Sequence, residues 1–278
     1  MSVIIFTVIL LLGSYFAGLL GSLTGLGGGF IIIPLLTLFL HVDIHYAIGA
    51  SLVSVIATSS GSAAAYVKEG LTNIRIGMFL EIATTAGAFT GAILAIYIPV
   101  HYIAILFGLI LIFSAIMSLR EKTEQLVHQE TFLSKKLKLG GTYPVNDELV
   151  EYSVTNIAGG FFMMIFAGVI SGLLGIGSGA LKVIAMDGVM RIPFKVSTTT
   201  SNFMIGVTAA ASAVVYLQRG YIHPAIAMPV VIGVLIGAVS GSKILVHTSS
   251  SGWLRWLFAI VITLVAIQMI YNGATGKI

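Results

Sequence analysis

The strongest constraint on this chain is a succession of apolar stretches long enough to cross a lipid bilayer. A bilayer core about 30 Å thick takes roughly 20 apolar residues as α-helix. Val3–Leu23, Ala47–Val67, Ile76–Ile98, Ile103–Leu119, Ile157–Leu174, Val196–Leu217, Ile222–Val246 and Trp253–Tyr271 meet or approach that length. Two shorter apolar runs, Phe30–Leu40 and Ala180–Met190, each follow a glycine cluster. Each is too short to cross comfortably, so a half-helix, a re-entrant arm or a thin crossing is expected there. Only 9% of the residues are charged, against about a quarter in soluble domains, which excludes a water-soluble globule. Backbone amides cannot be left unpaired in lipid, so the expected fold is an all-α integral membrane protein whose glycine breaks are shielded inside the bundle. The first run has no Lys or Arg before it and continues into further apolar sequence. It is therefore read as a retained membrane segment, not a cleaved leader.

The one long polar stretch is Arg120–Tyr152. It carries Arg120, Lys122, Lys135, Lys136 and Lys138 together with Glu121, Glu124, Glu130, Asp147, Glu148 and Glu151. These five Lys and Arg residues next to membrane segments place it in the cytoplasm by the positive-inside rule, as a solvated linker with turns at Gly140, Gly141 and Pro144. The expected organisation is a first membrane repeat over 1–119, a cytoplasmic polar linker over 120–152 and a second repeat over 153–278. The repeat is visible in the sequence: Phe16–Leu94 aligns with Phe166–Ile244 without a gap. In that register Gly18 meets Gly168, Ser51 meets Ser201, Thr58 meets Thr208, Tyr66 meets Tyr216 and Gly70 meets Gly220. Internal repeats are the common plan of secondary transporters.

Charge favours inverted copies of five elements over parallel copies of four. Inversion puts Lys68, Arg75, Arg191, Lys195, Lys243 and Arg255 near the cytoplasm and leaves Arg219 and Lys277 outside. The parallel arrangement sends Arg191, Lys195, Lys243 and Arg255 outward, against the charge rule.

Glycine inside apolar helix costs about 1 kcal/mol relative to alanine, so clusters of it need a reason. Gly87/Gly91, Gly233/Gly237 and Gly237/Gly241 are spaced for close helix packing. The clusters Gly25-Leu26-Gly27-Gly28-Gly29 and Gly175-Ile176-Gly177-Ser178-Gly179 are denser, and each precedes a short helical run. Such a break frees N–H groups and a positive helix end, a fit for an anion. The candidate substrate-binding residues are Gly25, Gly27, Gly28, Gly29, Gly175, Gly177, Ser178 and Gly179 at the breaks. Ser51, Thr200, Ser201 and Asn202 would add hydroxyl and amide donors, with helix capping as the alternative role. Lys182 offers a counter-charge to the anion, or else pairs with Asp187 or Glu81, or snorkels to the interface. Glu81 and Asp187 are the proton-coupling candidates, because acids at membrane depth are costly and tend to be functional or paired.

Several classes are excluded. There is no cysteine, hence no thiol nucleophile and no Cys-ligated metal. No phosphate-loop ending follows either glycine cluster, and no serine nucleophile signature is present, so no enzyme is expected. His41 and His45 are spaced four apart but lie in a short loop; no metal and no cofactor are expected. The charge is clustered, so no nucleic-acid partner is expected.

The motif Gly18-(x6)-Gly25-Leu26-Gly27-Gly28-Gly29-Phe30-(x3)-Pro34, repeated as Gly168-(x6)-Gly175-Ile176-Gly177-Ser178-Gly179 and followed by Ser51 and Thr200-Ser201-Asn202, resembles the TauE/SafE family of sulfite and organosulfonate exporters. The likeness covers nearly the whole chain. It implies outward transport of small sulfur-containing or carboxylate anions. The reading of the whole chain is then of two repeats around a midplane cavity that work by alternating access, in a bacterial inner (plasma) membrane. The partners then expected are a small anionic substrate, the lipid bilayer and, in a homo-oligomer, further copies of the chain. The rival readings are an anion channel, a non-transporting membrane scaffold acting through the central loop, and a cation transporter, for which only Glu81 and Asp187 would be available.

Overall fold

A computed structural model describes residues 3–24, 27–68, 70–119, 132–145, 148–247 and 252–276. The elements are α1 (Val3–Thr24), α2 (Gly29–Pro34), α3 (Ile44–Lys68), α4 (Ile74–Ala95), α5 (Val100–Leu119), α6 (Phe132–Leu137), the hairpin β1 (Gly141–Val145) and β2 (Glu148–Tyr152), α7 (Ile157–Leu174), α8 (Gly179–Ile184), α9 (Phe194–Gln218), α10 (Pro224–His247) and α11 (Gly252–Ala274). Among the described residues, seven helices are long and apolar enough to cross a membrane: α1, α3, α4, α5, α7, α9 and α10. The protein is an all-helical integral membrane protein, with one small hairpin outside the bundle.

The two short apolar runs form short helices that widen into π turns, Leu35–Phe39 after α2 and Ala185–Val189 after α8. Gly29–Phe39 is 11 residues of continuous helix, about 16 Å at 1.5 Å per residue and so only half a bilayer core. Pro34 lacks the N–H that a regular turn needs, but Ile184 holds the same place in the second half and the π turn forms there too. The widening therefore does not depend on proline.

Glycines set how the long helices pack. A Cβ on Gly87 or Gly91 of α4 would strike the backbone oxygens of Ile165 and Val169 on α7, and one on Gly168 or Gly172 of α7 would strike those of Thr84 and Ala88. The same holds for Gly18 of α1 against Val234 and for Gly237 of α10 against Tyr15. Contacts advance together along both partners, so α4 runs parallel to α7 and α1 runs parallel to α10. The spaced glycines read from the sequence as packing residues occupy such close approaches. The other two pairs run antiparallel. Gly49 at the start of α3 meets Tyr221 just past the end of α9, while Leu71 beyond α3 accepts a hydrogen bond from Thr199 near the start of α9 (2.7 Å). In α5 and α11, Gly108 meets Ala266 and Ile270, whereas Gly273 meets His101 and Ala104.

The polar segment differs from the solvated linker expected. Residues 120–131 lie outside the described set, but β1 and β2 fold back onto the bundle. Tyr143, Tyr152 and Leu139 are buried with Ile76, Met190 and Val196. Asn73, which caps α4, donates through Nδ2 to the Tyr152 hydroxyl (2.7 Å) and to the Leu139 carbonyl (3.1 Å). Amphipathic tyrosines bury their rings and still satisfy their hydroxyls, which is how a charged stretch holds a packed hairpin.

The backbone-to-backbone approach of α4 and α7 leaves no space for a side chain. Gly91→Val is expected to lower the melting temperature in detergent by the equivalent of about 1–3 kcal/mol, the usual cost of overpacking. Gly61→Ala, whose Cβ would meet nothing nearer than 3.5 Å, is expected to leave it within error. Equal melting temperatures for the two variants would contradict the packing described.

Candidate functional site

The two glycine breaks meet near the middle of the bundle. Val55 and Ile205 stand near the midpoints of α3 and α9, and a Cβ built on either Gly27 or Gly177 would meet both of them. Gly29 faces the Ser51 hydroxyl and lies close to the carbonyl of Gly175. Ser51 donates to that carbonyl (2.7 Å), and Ser201 donates to the carbonyl of Gly179 (3.2 Å). Each hydroxyl thus ties a long helix to the second break. Both serines are wholly buried.

The breaks need glycine for a definite reason at three positions. Gly27, Gly175 and Gly177 sit at φ +78, +65 and +72, the left-handed region that costs an L-residue about 1–2 kcal/mol. Ser178 takes that conformation as well, at φ 48.

The structure gathers Gly27, Gly29, Ser51, Gly175, Gly177, Gly179 and Ser201 in one place. Gly28 packs near Ala17 and Thr58. Gly25 lies outside the described residues. Thr200 is drawn off elsewhere: its hydroxyl accepts the backbone N–H of Asn73 (3.0 Å) at the hairpin end. Asn202 lends its carbonyl to the Ser59 hydroxyl (2.6 Å), but its side-chain Nδ2 has no hydrogen-bond partner among the described residues. Among them the Ser178 hydroxyl has none either.

Lys182 projects from α8 just past the second break and is fully buried. Its ammonium donates to the Thr208 hydroxyl and lies 3.7 Å from Glu81 Oε2. Thr208 in turn donates to Glu81 Oε1 (2.5 Å), which also accepts from Thr85 (3.2 Å). Glu81 on α4, Lys182 on α8 and Thr208 on α9 are therefore one cluster. A buried charge without a counter-charge would be strongly destabilising, so Lys182 pairs with Glu81 instead of reaching out to water. Asp187 lies in the π turn after α8, half-buried.

The open midplane cavity expected from the sequence is closed here. Val55 and Ile205 fill the space between the breaks, and the void beside Ser178 and Gly179 is about 20 Å³, room for roughly one water. A larger cavity of about 260 Å³ lies at the hairpin end, among Thr72, Asn73, Arg75, Thr142, Tyr152 and Val196. Four participants escaped sequence reasoning as site residues: Val55, Ile205, Thr85 and Thr208. For Thr208 a signal was present, since it matches Thr58 in the repeat register.

The sequence profile described as Sulfite exporter TauE/SafE matches residues 10–269. A probable membrane transporter protein of Bacillus subtilis, YunE, is 29% identical over 96% of this chain and 98% of its own length. A second from that organism, YdhB, is 29% identical over 84% and 89%. The probable membrane transporter protein MJ0441 of Methanocaldococcus jannaschii is 25% identical over 85% and 84%. No solved structure shows significant similarity to the chain.

Closure over the breaks makes substitutions there unequal. Gly27→Ala and Gly177→Ala both incur left-handed strain of about 1–2 kcal/mol. Only at Gly177 does the new methyl also press on Ile205, at 2.6 Å against 3.6 Å for Gly27. Thermal unfolding in detergent is expected to rank Gly177→Ala clearly below Gly27→Ala; the reverse order would contradict the geometry.

Proposed function

The chain belongs to the sulfite exporter TauE/SafE family, and from that premise we propose that it is a secondary transporter. It exports small sulfur-containing anions, sulfite or sulfonates, by alternating access. The observation that carries this reading is two buried donors, Ser178 at the second break and Asn202 on α9, that have no hydrogen-bond partner among the described residues. Ser178 is 3% exposed and Asn202 2% exposed, and the Ser178 hydroxyl and Asn202 Nδ2 are both unpartnered. A buried unsatisfied polar group costs about 1–3 kcal/mol. The oxygens of a sulfite or sulfonate are acceptors of the kind such donors lack.

In this reading the breaks part to admit the anion. Backbone N–H groups at Gly25–Gly29 and Gly175–Gly179, with Ser51, Ser201 and Asn202, supply donors, while Thr200 is engaged with Asn73. Lys182 supplies positive charge, and Glu81 and Asp187 are the acids available to carry a proton. The closed contact of Val55 and Ile205 between the breaks is then one stage of the cycle.

Helix direction supports a pair of inverted repeats. Copies of opposite orientation make α3/α9 and α5/α11 antiparallel and α1/α10 and α4/α7 parallel. Copies of the same orientation would make all four pairs parallel. The exposed cations Lys68, Arg75, Arg191 and Lys195 belong to the end that carries the hairpin. That supports a cytoplasmic hairpin in a bacterial inner (plasma) membrane, by the excess of basic residues on that side.

Reconstituted liposomes test the proposal. Flux of sulfite, small sulfonates, thiosulfate and carboxylates is measured with and without a pH gradient. Saturable flux of the sulfur oxyanions is expected, with KM raised in Ser178→Ala and Asn202→Ala. Absence of flux for every anion would refute transport, and flux that never saturates would point to a channel instead.

A further inference from the structure

The buried pair of Lys182 and Glu81 is poorly closed for an ion pair in an apolar interior. Hydrogen-bonded ammonium–carboxylate pairs approach to about 2.7–2.9 Å, yet Lys182 Nζ and Glu81 Oε2 stand 3.7 Å apart. Among the described residues, Glu81 Oε2 accepts no hydrogen bond. A lysine ammonium has three donors, and the partner it finds is the Thr208 hydroxyl, which relays to the other carboxylate oxygen. The pair is thus held through a third side chain, with capacity left over on both charges. Thr208 also has an alternative acceptor, the Met204 carbonyl at 3.0 Å, so its hydroxyl can leave Glu81 without becoming unpaired.

The three residues come from three separate pieces: α4, the short helix behind the second break, and α9. Lys182 lies three positions past Gly179, whose carbonyl is held by Ser201. Any anion that reached the Ser178 hydroxyl, at the start of the short helix, would arrive next to the segment that carries this ammonium.

We propose that Glu81 is a built-in competitor of the transported anion for Lys182. In the empty, closed form its carboxylate occupies the place of a substrate oxyanion. In the loaded form a sulfite or sulfonate oxygen takes over Lys182, and the Thr208 hydroxyl turns from Glu81 to the Met204 carbonyl. This rests on the anion-transport reading above and assigns a role within that site: Glu81 sets how tightly the anion must bind before the closed form gives way.

The test compares the wild-type full chain with Glu81→Gln, Glu81→Asp and Thr208→Val in liposomes, using sulfite and ethanesulfonate as probes. Removing a competitor strengthens its rival. Glu81→Gln is expected to lower KM roughly tenfold or more, the scale of one hydrogen bond to a charged group, without a matching rise in maximal rate. Glu81→Asp, with its shorter reach, and Thr208→Val, which breaks the relay, are expected to lower KM less. A merely structural role for Glu81 would raise KM or leave it unchanged while folded protein is lost, and that result overturns the proposal. Should Glu81→Gln fail to fold, Glu81→Asp decides by the same sign of KM shift, supported by a larger ethanesulfonate-induced rise in melting temperature than in wild type. If wild type itself carries neither probe, the transport reading fails first and takes this inference with it. If wild type transports and the KM values do not fall, this inference alone fails.

Discussion

Lipid offers no hydrogen bonds, and that single constraint organises the structure. A helix interrupted by glycine exposes backbone N–H and C=O groups that hydrocarbon cannot satisfy. This chain interrupts its helices twice and so must enclose both interruptions. It does so by bringing them to the same depth, between the midpoints of α3 and α9, and by tying carbonyls of the second break to Ser51 and Ser201. The remaining helices form a wall around that centre. Their glycines let α1 lie against α10 and α4 against α7 with backbones touching, which leaves the wall little slack.

That arrangement places polar chemistry where it costs most. Ser178 and Asn202 keep donors buried and unpaired, and Lys182 keeps an ammonium buried against a carboxylate that it does not reach closely. None of these would survive as mere core, because an apolar replacement of similar volume is often neutral or stabilising at such a position. They are the groups on which the proposal of an anionic substrate rests. The cation lies in the second half and its counter-charge, Glu81, in the first: Ile32, which aligns with Lys182, is fully buried in the apolar core. The two halves therefore contribute unequally to the centre, one with the ammonium and the other with the carboxylate.

The sequence disclosed the breaks and the packing glycines because both are local signals: a run of glycines in apolar sequence, and small residues four apart. It also disclosed Ser51 and Ser201 as counterparts. It did not disclose that Val55 and Ile205 close the centre, because an apolar residue that plugs a path looks the same as one that packs a core. Lys182 was left with two acidic partners to choose from; the choice of Glu81 is made by folding, which brings in Thr208 from 127 residues farther along the chain than Glu81. Thr200 looked equivalent to its neighbours in the hydroxyl run, but the helical turn points it at Asn73 instead of the breaks. The hairpin was hidden for a similar reason. Its charges read as solvated linker, while the burial of Tyr143 and Tyr152 depends on partners in α4 and α9 that no local pattern reveals.

The central claim is that the two breaks are closed on each other at rest and separate to pass an anion. The chain has no cysteine, so Val55→Cys introduces a thiol at that centre with no background. Its rate of reaction with a small water-soluble thiol reagent, measured in liposomes with and without a transported sulfonate, tests the claim most directly. The account predicts protection at rest and a marked acceleration during transport. Equal reactivity in both conditions, or a thiol that stays protected while the anion crosses, would contradict it.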